Sequence, residues 1–243
     1  TERPLKRSRP DASSMSFSRV AALPLMARLN SLSVVSTSVD GAKLIGTHSG
    51  SFHCDEALAI AMLKMLPRFQ EHQILRTRAS DQLSGCELVV DVGAEYDADS
   101  LRFDHHQRSF DGVLEPFATK LSSAGLVYKH FGRQVLTEVA NGCREGVLDD
   151  SEGLLELLYE RVYRKFMEHI DGIDNGIEVA DGKLHYVVST TLSQRVGALN
   201  PRWNEDRSEA ATNAAFEQAV VLTGQEFVAV VEGLVNSWWP ARS

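Results

Sequence analysis

Between Lys43 and Asp91 the chain alternates short apolar runs with one helical stretch, and that rhythm leaves few folds open. Lys43-Leu44-Ile45-Gly46-Thr47 reads as a strand and a polar loop follows through His53. Asp55 to Leu66 reads as a helix stopped by Pro67, with Asp55 and Glu56 as favourable charges in its first turn. Gln73-Ile74-Leu75-Arg76-Thr77 and Glu87-Leu88-Val89-Val90-Asp91 read as two more strands. The spacing predicts an α/β fold with a mostly parallel sheet and helical crossovers. Leu101-Arg102-Phe103 reads as a further short strand running into Asp104-His105-His106.

From Ser122 onward helices dominate, over Ser122 to Phe131, Gln134 to Gly142, Ser151 to Ile170 and Asn213 to Trp238. Leu154, Leu158, Val162 and Phe166 give the third its apolar stripe, with Ser151 as N-cap and Gly172 as stop. Leu184 to Thr191 returns to a strand pattern.

Residues 1–41 are expected to stand apart as a flexible, targeting-like segment, leaving 42–243 as the folded body. The run Lys6-Arg7-Ser8-Arg9 is of the nuclear-import type, and Ala12 to Val39 contains eight serines and no acidic residue, as mitochondrial presequences do. Nucleus and mitochondrion both remain open. No window approaches the ~18 uninterrupted apolar residues of a spanning helix, so no membrane partner is expected. Cys54, Cys86 and Cys143 are an odd number without paired spacing, which argues against a disulfide framework. A formal charge of −8 counts against broad duplex binding but not against a phosphate held through dications.

Three clusters fall where strands end, the place where open parallel sheets hold ligands. The first is Thr47-His48-Ser49-Gly50-Ser51-Phe52-His53-Cys54-Asp55-Glu56, the second Asp91 followed by Gly93, and the third Asp104-His105-His106-Gln107-Arg108. Taken singly, Asp91 fits a helix cap or turn, and Asp104 fits a partner that fixes a tautomer of His105. Four of the eight histidines lie in these clusters, each cluster with an aspartate, and the conjunction points to metal. Imidazole with carboxylate suits Mn, Fe, Zn or Co better than Ca.

Asp104-His105-His106 resembles the signature of the DHH phosphoesterases, which include RecJ-like exonucleases and manganese-dependent pyrophosphatases. More closely, Ile45 to Gly50, Phe52 to Ala57, Val89 to Gly93 and Phe103 to Phe110 resemble the Myg exonuclease family, named after melanocyte proliferating gene one. Thr119 to Leu126, Ile170 to Ile177 and Leu199 to Asn204 continue the match from about residue 43 to the end of the chain. Relative to the pyrophosphatases, His53 stands where an aspartate is expected, and the loop from His48 is one residue longer. The family continues past a segment like Ser237-Trp238-Trp239-Pro240, so a further carboxy-terminal domain is expected beyond this sequence.

The resemblance implies a DHH-like domain with a helix-rich carboxy-terminal part, and two divalent ions, Mn2+ first, with Mg2+, Co2+ or Zn2+ as alternatives. One ion is implied at His48, His53 and Asp91. The other is implied at Asp55, Asp91, His105 and a late aspartate, Asp171 in preference to Asp174. His106, beside Asp104 and Arg108, is expected against the phosphate, and Arg108, Lys120 and Arg195 are expected to hold its oxygens. The implied activity is 3′-to-5′ exonucleolytic cleavage of single-stranded RNA. A small-molecule phosphoanhydride or phosphodiester hydrolase and a metal-stabilised scaffold without turnover are the alternatives.

Overall fold

A computed structural model describes residues 23–38, 41–149 and 152–242. Its strands β1 (Val34–Val35), β2 (Leu44–Thr47), β3 (Gln73–Arg76), β4 (Leu88–Val90), β5 (Tyr96–Asp97) and β6 (Arg102–Phe103) form one sheet. The order is β1-β3-β2-β4-β6-β5, parallel throughout except for β5 against β6. The α/β architecture read from the sequence is therefore the one observed. Because β2, β4 and β6 are parallel neighbours, the loops leaving their carboxyl ends open side by side at one edge of the sheet.

Alternate strand residues serve two cores, as the two-residue period requires. Ile45, Ile74, Leu88, Val90 and Phe103 face the main core, whereas Leu44, Leu75 and Val89 face a smaller one with Leu83 and Cys86. The main core is built around α1 (Leu23–Leu29) and α2 (Cys54–Met65), and all twelve residues of α2 are buried. A helix apolar on every side is a core helix, and Ala57, Ala59 and Ala61 let its neighbours approach closely. The short α3 (Ser80–Ser84) covers the opposite face of the sheet.

The remaining helices are α4 (Ser123–Cys143), α5 (Leu154–Val162), α6 (Glu168–Asp174), α7 (Leu192–Gly197) and α8 (Glu209–Gly233). A π-helical turn, Tyr163–Met167, joins α5 to α6, and a second, Leu234–Trp238, follows α8. By length and apolarity α8 and its continuation could cross a membrane, yet Phe216, Val220, Phe227 and Val231 are packed into the core. At Gly224 an added Cβ would overlap the Leu29 side chain, so this glycine permits the close approach of α1.

Several expectations are corrected here. Residues 1–41 do not stand wholly apart: α1 contributes Leu25 and Leu29 to the core, and β1 pairs with β3. The basic run and residues up to 22 lie outside the described residues, as does Ser151. The two helices expected over 122–142 are one, because Gly132 continues the helix with Tyr128 and Tyr159 packed against it. Gly172 does not stop the long helix, which runs on to Asp174. Leu184 to Thr191 forms no strand; Leu184, Tyr186, Val187 and Val188 are exposed. β-Propensity expresses fit to a partnered, half-buried surface, and among the described residues no strand pairs with this segment.

Candidate metal centre

Local backbone geometry aims the polar side chains inward. β2 ends at Thr47, and the next residue, His48, is buried with Nε2 2.9 Å from Glu56 Oε1 and 3.3 Å from Asp91 Oδ2. Helix α2 begins at Cys54, so Asp55 and Glu56 lie in its first turn, both fully buried. The His53 N–H donates to Glu56 Oε1 at 2.8 Å, closing the helix start. Asp91 follows β4 with φ 57, a left-handed conformation that aspartate tolerates and that turns its carboxylate back over the sheet edge. Ser123 Oγ, at the start of α4, donates to Asp91 Oδ1 at 3.0 Å.

After β6, the paired histidines differ in burial, although their ring centroids lie 4.4 Å apart. His105 is buried, with Nε2 3.1 Å from Asp174 Oδ2, 3.5 Å from Asp91 Oδ1 and 4.0 Å from Asp55 Oδ2. Its Nδ1 faces Asn175 Oδ1 at 3.3 Å, the outer contact that leaves Nε2 to bind an ion. His106 is 61% exposed, with Nδ1 2.7 Å from Asp104 Oδ1. Asp104 thus serves His106, not His105. Its other oxygen accepts from the Ala94 N–H at 2.7 Å, which fixes the carboxylate in place.

Three groups of side chains come close enough to share an ion: His48, His53, Glu56 and Asp91; Asp91, His105 and His106; and Asp55, His105 and Asp174. Asp91 and His105 each belong to two of them. The donor set fits a dication on a second count. Both oxygens of Asp55 and Oε2 of Glu56 are buried without a hydrogen-bond partner, an arrangement that costs several kcal/mol unless a cation supplies the missing partner.

The electrostatics express the same deficit. Burial, followed by Asp91, Asp174 and Glu56, pushes Asp55 well above the usual carboxylate range. For His48, burial opposes the charged ring, but the Asp91 and Glu56 carboxylates outweigh it and raise the pKa to about 10. Burial likewise opposes charge on His105, and Asp174 and Asp91 raise it to about 10. Burial works against ionised Asp91, yet His105 and His48 hold it below the ordinary value.

Asp171 lies elsewhere. Its Oδ1 accepts from the Ser122 N–H at 3.0 Å and Oγ at 2.7 Å, and its Oδ2 accepts from the Tyr163 hydroxyl at 2.9 Å. It locks α6 to the start of α4, and a Cβ at Gly125 would overlap its carboxylate. Asp174, not Asp171, shares a group with Asp55 and His105. We therefore expect Asp174→Ala to lose ion occupancy, with a smaller loss of metal-free stability than Asp171→Ala because its one partner there is His105. Asp171→Ala should keep its metal content while unpaired buried donors cost ~3 kcal/mol, or ~6–12 °C in Tm. Metal analysis and melting curves of the two variants decide this; metal loss in Asp171→Ala alone would reverse the assignment.

Two open cavities flank the centre, of about 290 and 310 Å³, sharing His53, Asp91 and His106. The first is walled by Phe52, Ile173, Ser193 and Gly197, the second by Arg78, Gly93 and Ala94. Among the cations expected from sequence, Arg195 is bound to Glu226 at 2.8 Å, Lys120 lies over the Phe110 ring and Arg108 is exposed. None of the three lines either cavity. Arg78, Glu56 and Asn175 were not singled out as site residues. Glu56 reads as an ordinary first-turn acid, and Arg78 lies in a connection with no motif.

The comparisons extend this picture. The chain matches the MYG1_exonuc family model, described as "Uncharacterised protein family (UPF0160)", over residues 44–243. It is 48% identical over 204 residues to "MYG1 protein C27H6.8" of Caenorhabditis elegans, covering 82% of this chain and 58% of that protein. With "MYG1 exonuclease" of Homo sapiens it shares 44% identity over 206 residues, 82% of this chain and 53% of the relative. With "MYG1 protein YER156C" of Saccharomyces cerevisiae it shares 38% over 223 residues, 88% and 64% respectively. The chain thus spans little more than half the length of the first two relatives, and no solved structure matches it. A family match over four-fifths of the sequence, with the three polar clusters inside the matched span, places the chain in the MYG1 family.

Proposed function

We propose that the chain is a phosphodiester hydrolase dependent on two divalent ions, acting as an exonuclease on single-stranded RNA from the 3′ end. The observation that carries the hydrolase reading is the set of overlapping ligand groups joined by Asp91 and His105 around the orphaned oxygens of Asp55. The relatives named "MYG1 exonuclease" support the nucleolytic part. RNA, polarity and manganese rest on the family resemblance. Lys6-Arg7-Ser8-Arg9 and the acid-poor stretch after it support a nuclear or mitochondrial address.

In this reading His48, His53, Glu56 and Asp91 would hold one ion, and Asp55, Asp91, His105 and Asp174 the other. When bound, such a pair would lower the pKa of water and offset charge that develops in an in-line displacement. The chain's own residues supply the rest. Asp104 holds His106 by Nδ1, leaving Nε2 free to donate to a phosphate oxygen or leaving group. Asn175 orients His105, and Ser123 holds one oxygen of Asp91.

The test is degradation of one sequence as RNA and as DNA, labelled at either end, with Mn2+, Mg2+, Co2+ and Zn2+ in turn. The expected product pattern is stepwise loss from the 3′ end of RNA, abolished by chelator. Hydrolysis of pyrophosphate or a cyclic dinucleotide with intact strands would move the chain to the small-molecule class. Ion binding without turnover of any substrate would leave a scaffold.

A further inference from the structure

We propose that Arg78 is the substrate-anchoring cation of this centre, its guanidinium taking non-bridging oxygens of the scissile phosphate from the cavity on the His48 side. The inference rests on the phosphodiester reading and adds to it a residue and an orientation.

Strand β3 brings the arginine there. The Thr77 N–H donates to Thr47 O at 2.8 Å, so β3 stays paired with β2 as far as the polar loop. The Ala79 N–H then bonds Thr77 Oγ1 at 3.2 Å and turns the chain away, leaving Arg78 at the rim. Two arginines of this segment grip the same loop in different ways. Arg76 is buried, donating to Gly50 O at 2.7 Å and Asn213 Oδ1 at 2.9 Å, and stacks over Phe216, so it braces the loop from beneath. Arg78 is exposed and lines the cavity with His48, His53, Asp91 and His106.

Its present contacts are long: Nε to Ser49 O at 3.3 Å, with NH2 3.2 Å from His48 Nδ1. A guanidinium carries five N–H donors in a planar fork, so most remain for an anion. The centre concentrates the carboxylates of Asp55, Glu56, Asp91, Asp104 and Asp174, which repel a phosphodiester until a cation offsets them. Of the cations considered, Arg78 alone borders either cavity, and a fork suits two phosphate oxygens at once.

The experiment uses Arg78→Ala and Arg78→Lys, each loaded with manganese and analysed for metal. Inorganic phosphate affinity is read by calorimetry, and kcat and KM on bis(p-nitrophenyl) phosphate and a ten-nucleotide RNA. Arg78→Ala should keep the wild-type metal content and melting temperature, while phosphate affinity falls and KM rises roughly 10- to 100-fold. Arg78→Lys should recover part of the loss, since it keeps the charge without the fork. Unchanged phosphate affinity with the metal in place overturns the proposal. So does loss of an ion in Arg78→Ala, which makes the arginine a prop for His48. A wild-type chain that turns over neither diester, yet binds phosphate in an Arg78-dependent way, rejects the hydrolase reading and retains the anion site.

Discussion

Asp91→Ala is expected to emerge from manganese dialysis with neither ion, and with turnover lowered by more than about 100-fold. Losing only a residue that supports a ligand costs 10–100-fold, and Asp91 is more than a support. It lies in two of the three ligand groups, is 4% exposed, and stands between His48 on one side and His105 on the other. Without it, two dications would face each other across a buried gap with no shared counter-charge, and Coulomb repulsion at such a distance is large in a poorly screened site. Loss of both ions, not one, is therefore the signature. Asp91→Asn keeps the shape and removes the charge, and should behave in the same way. A variant that retains one ion would assign the two sites to separate ligand sets.

The second large effect separates neighbours. His106→Ala should keep its metal and lose turnover by ~10²–10⁴-fold, the usual range for a positioned acid or base. His105→Ala should lose metal as well. The two rings lie close, with centroids 4.4 Å apart, but their surroundings differ: His105 is buried among Asp55, Asp91 and Asp174, and His106 is 61% exposed on Asp104. His106 also approaches Asp91 Oδ1 at 3.5 Å, so parallel metal measurements on both variants are essential. Equal metal loss would place His106 among the ligands and leave the phosphate to other donors.

How far these residues could be seen in advance depends on the kind of pattern that carries them. The strand ends were legible because Leu44 to Thr47, Leu88 to Val90 and Arg102–Phe103 each precede a polar cluster in a parallel-sheet rhythm. Sheet order then brings His48, Asp91 and His105 together without any special contact. Asp171 and Asp174 could not be separated by helical phase. They lie three residues apart, and the π turn over Tyr163–Met167 resets the phase established by Leu154, Leu158 and Val162.

Glu56 was hidden by its own plausibility, since an acid in a first helical turn needs no further reason. Arg78 acquires meaning only when β2 and β3 pair. The same holds for α1 and β1: Leu25, Leu29 and Val34 carry no long periodic signal, and their partners are Gly224 and Ile74, far along the chain. The exposed Tyr186-Val187-Val188 shows the reverse error, a strand pattern with no neighbour to pair with.

The central claim is a centre for two dications, and calorimetric titration of the metal-free chain with manganese at pH 7, in two buffers of different ionisation enthalpy, tests it most directly. His48 and His105 are each raised to about 10, so both rings carry protons at that pH, and an ion at Nε2 must expel them. The same shifts stabilise the metal-free fold fully below about 6.5 and fade as pH rises through about 10. About two ions per chain are expected, with protons released on loading and tighter binding as pH rises. Saturation below one ion per chain, or loading with no proton release, would contradict that claim.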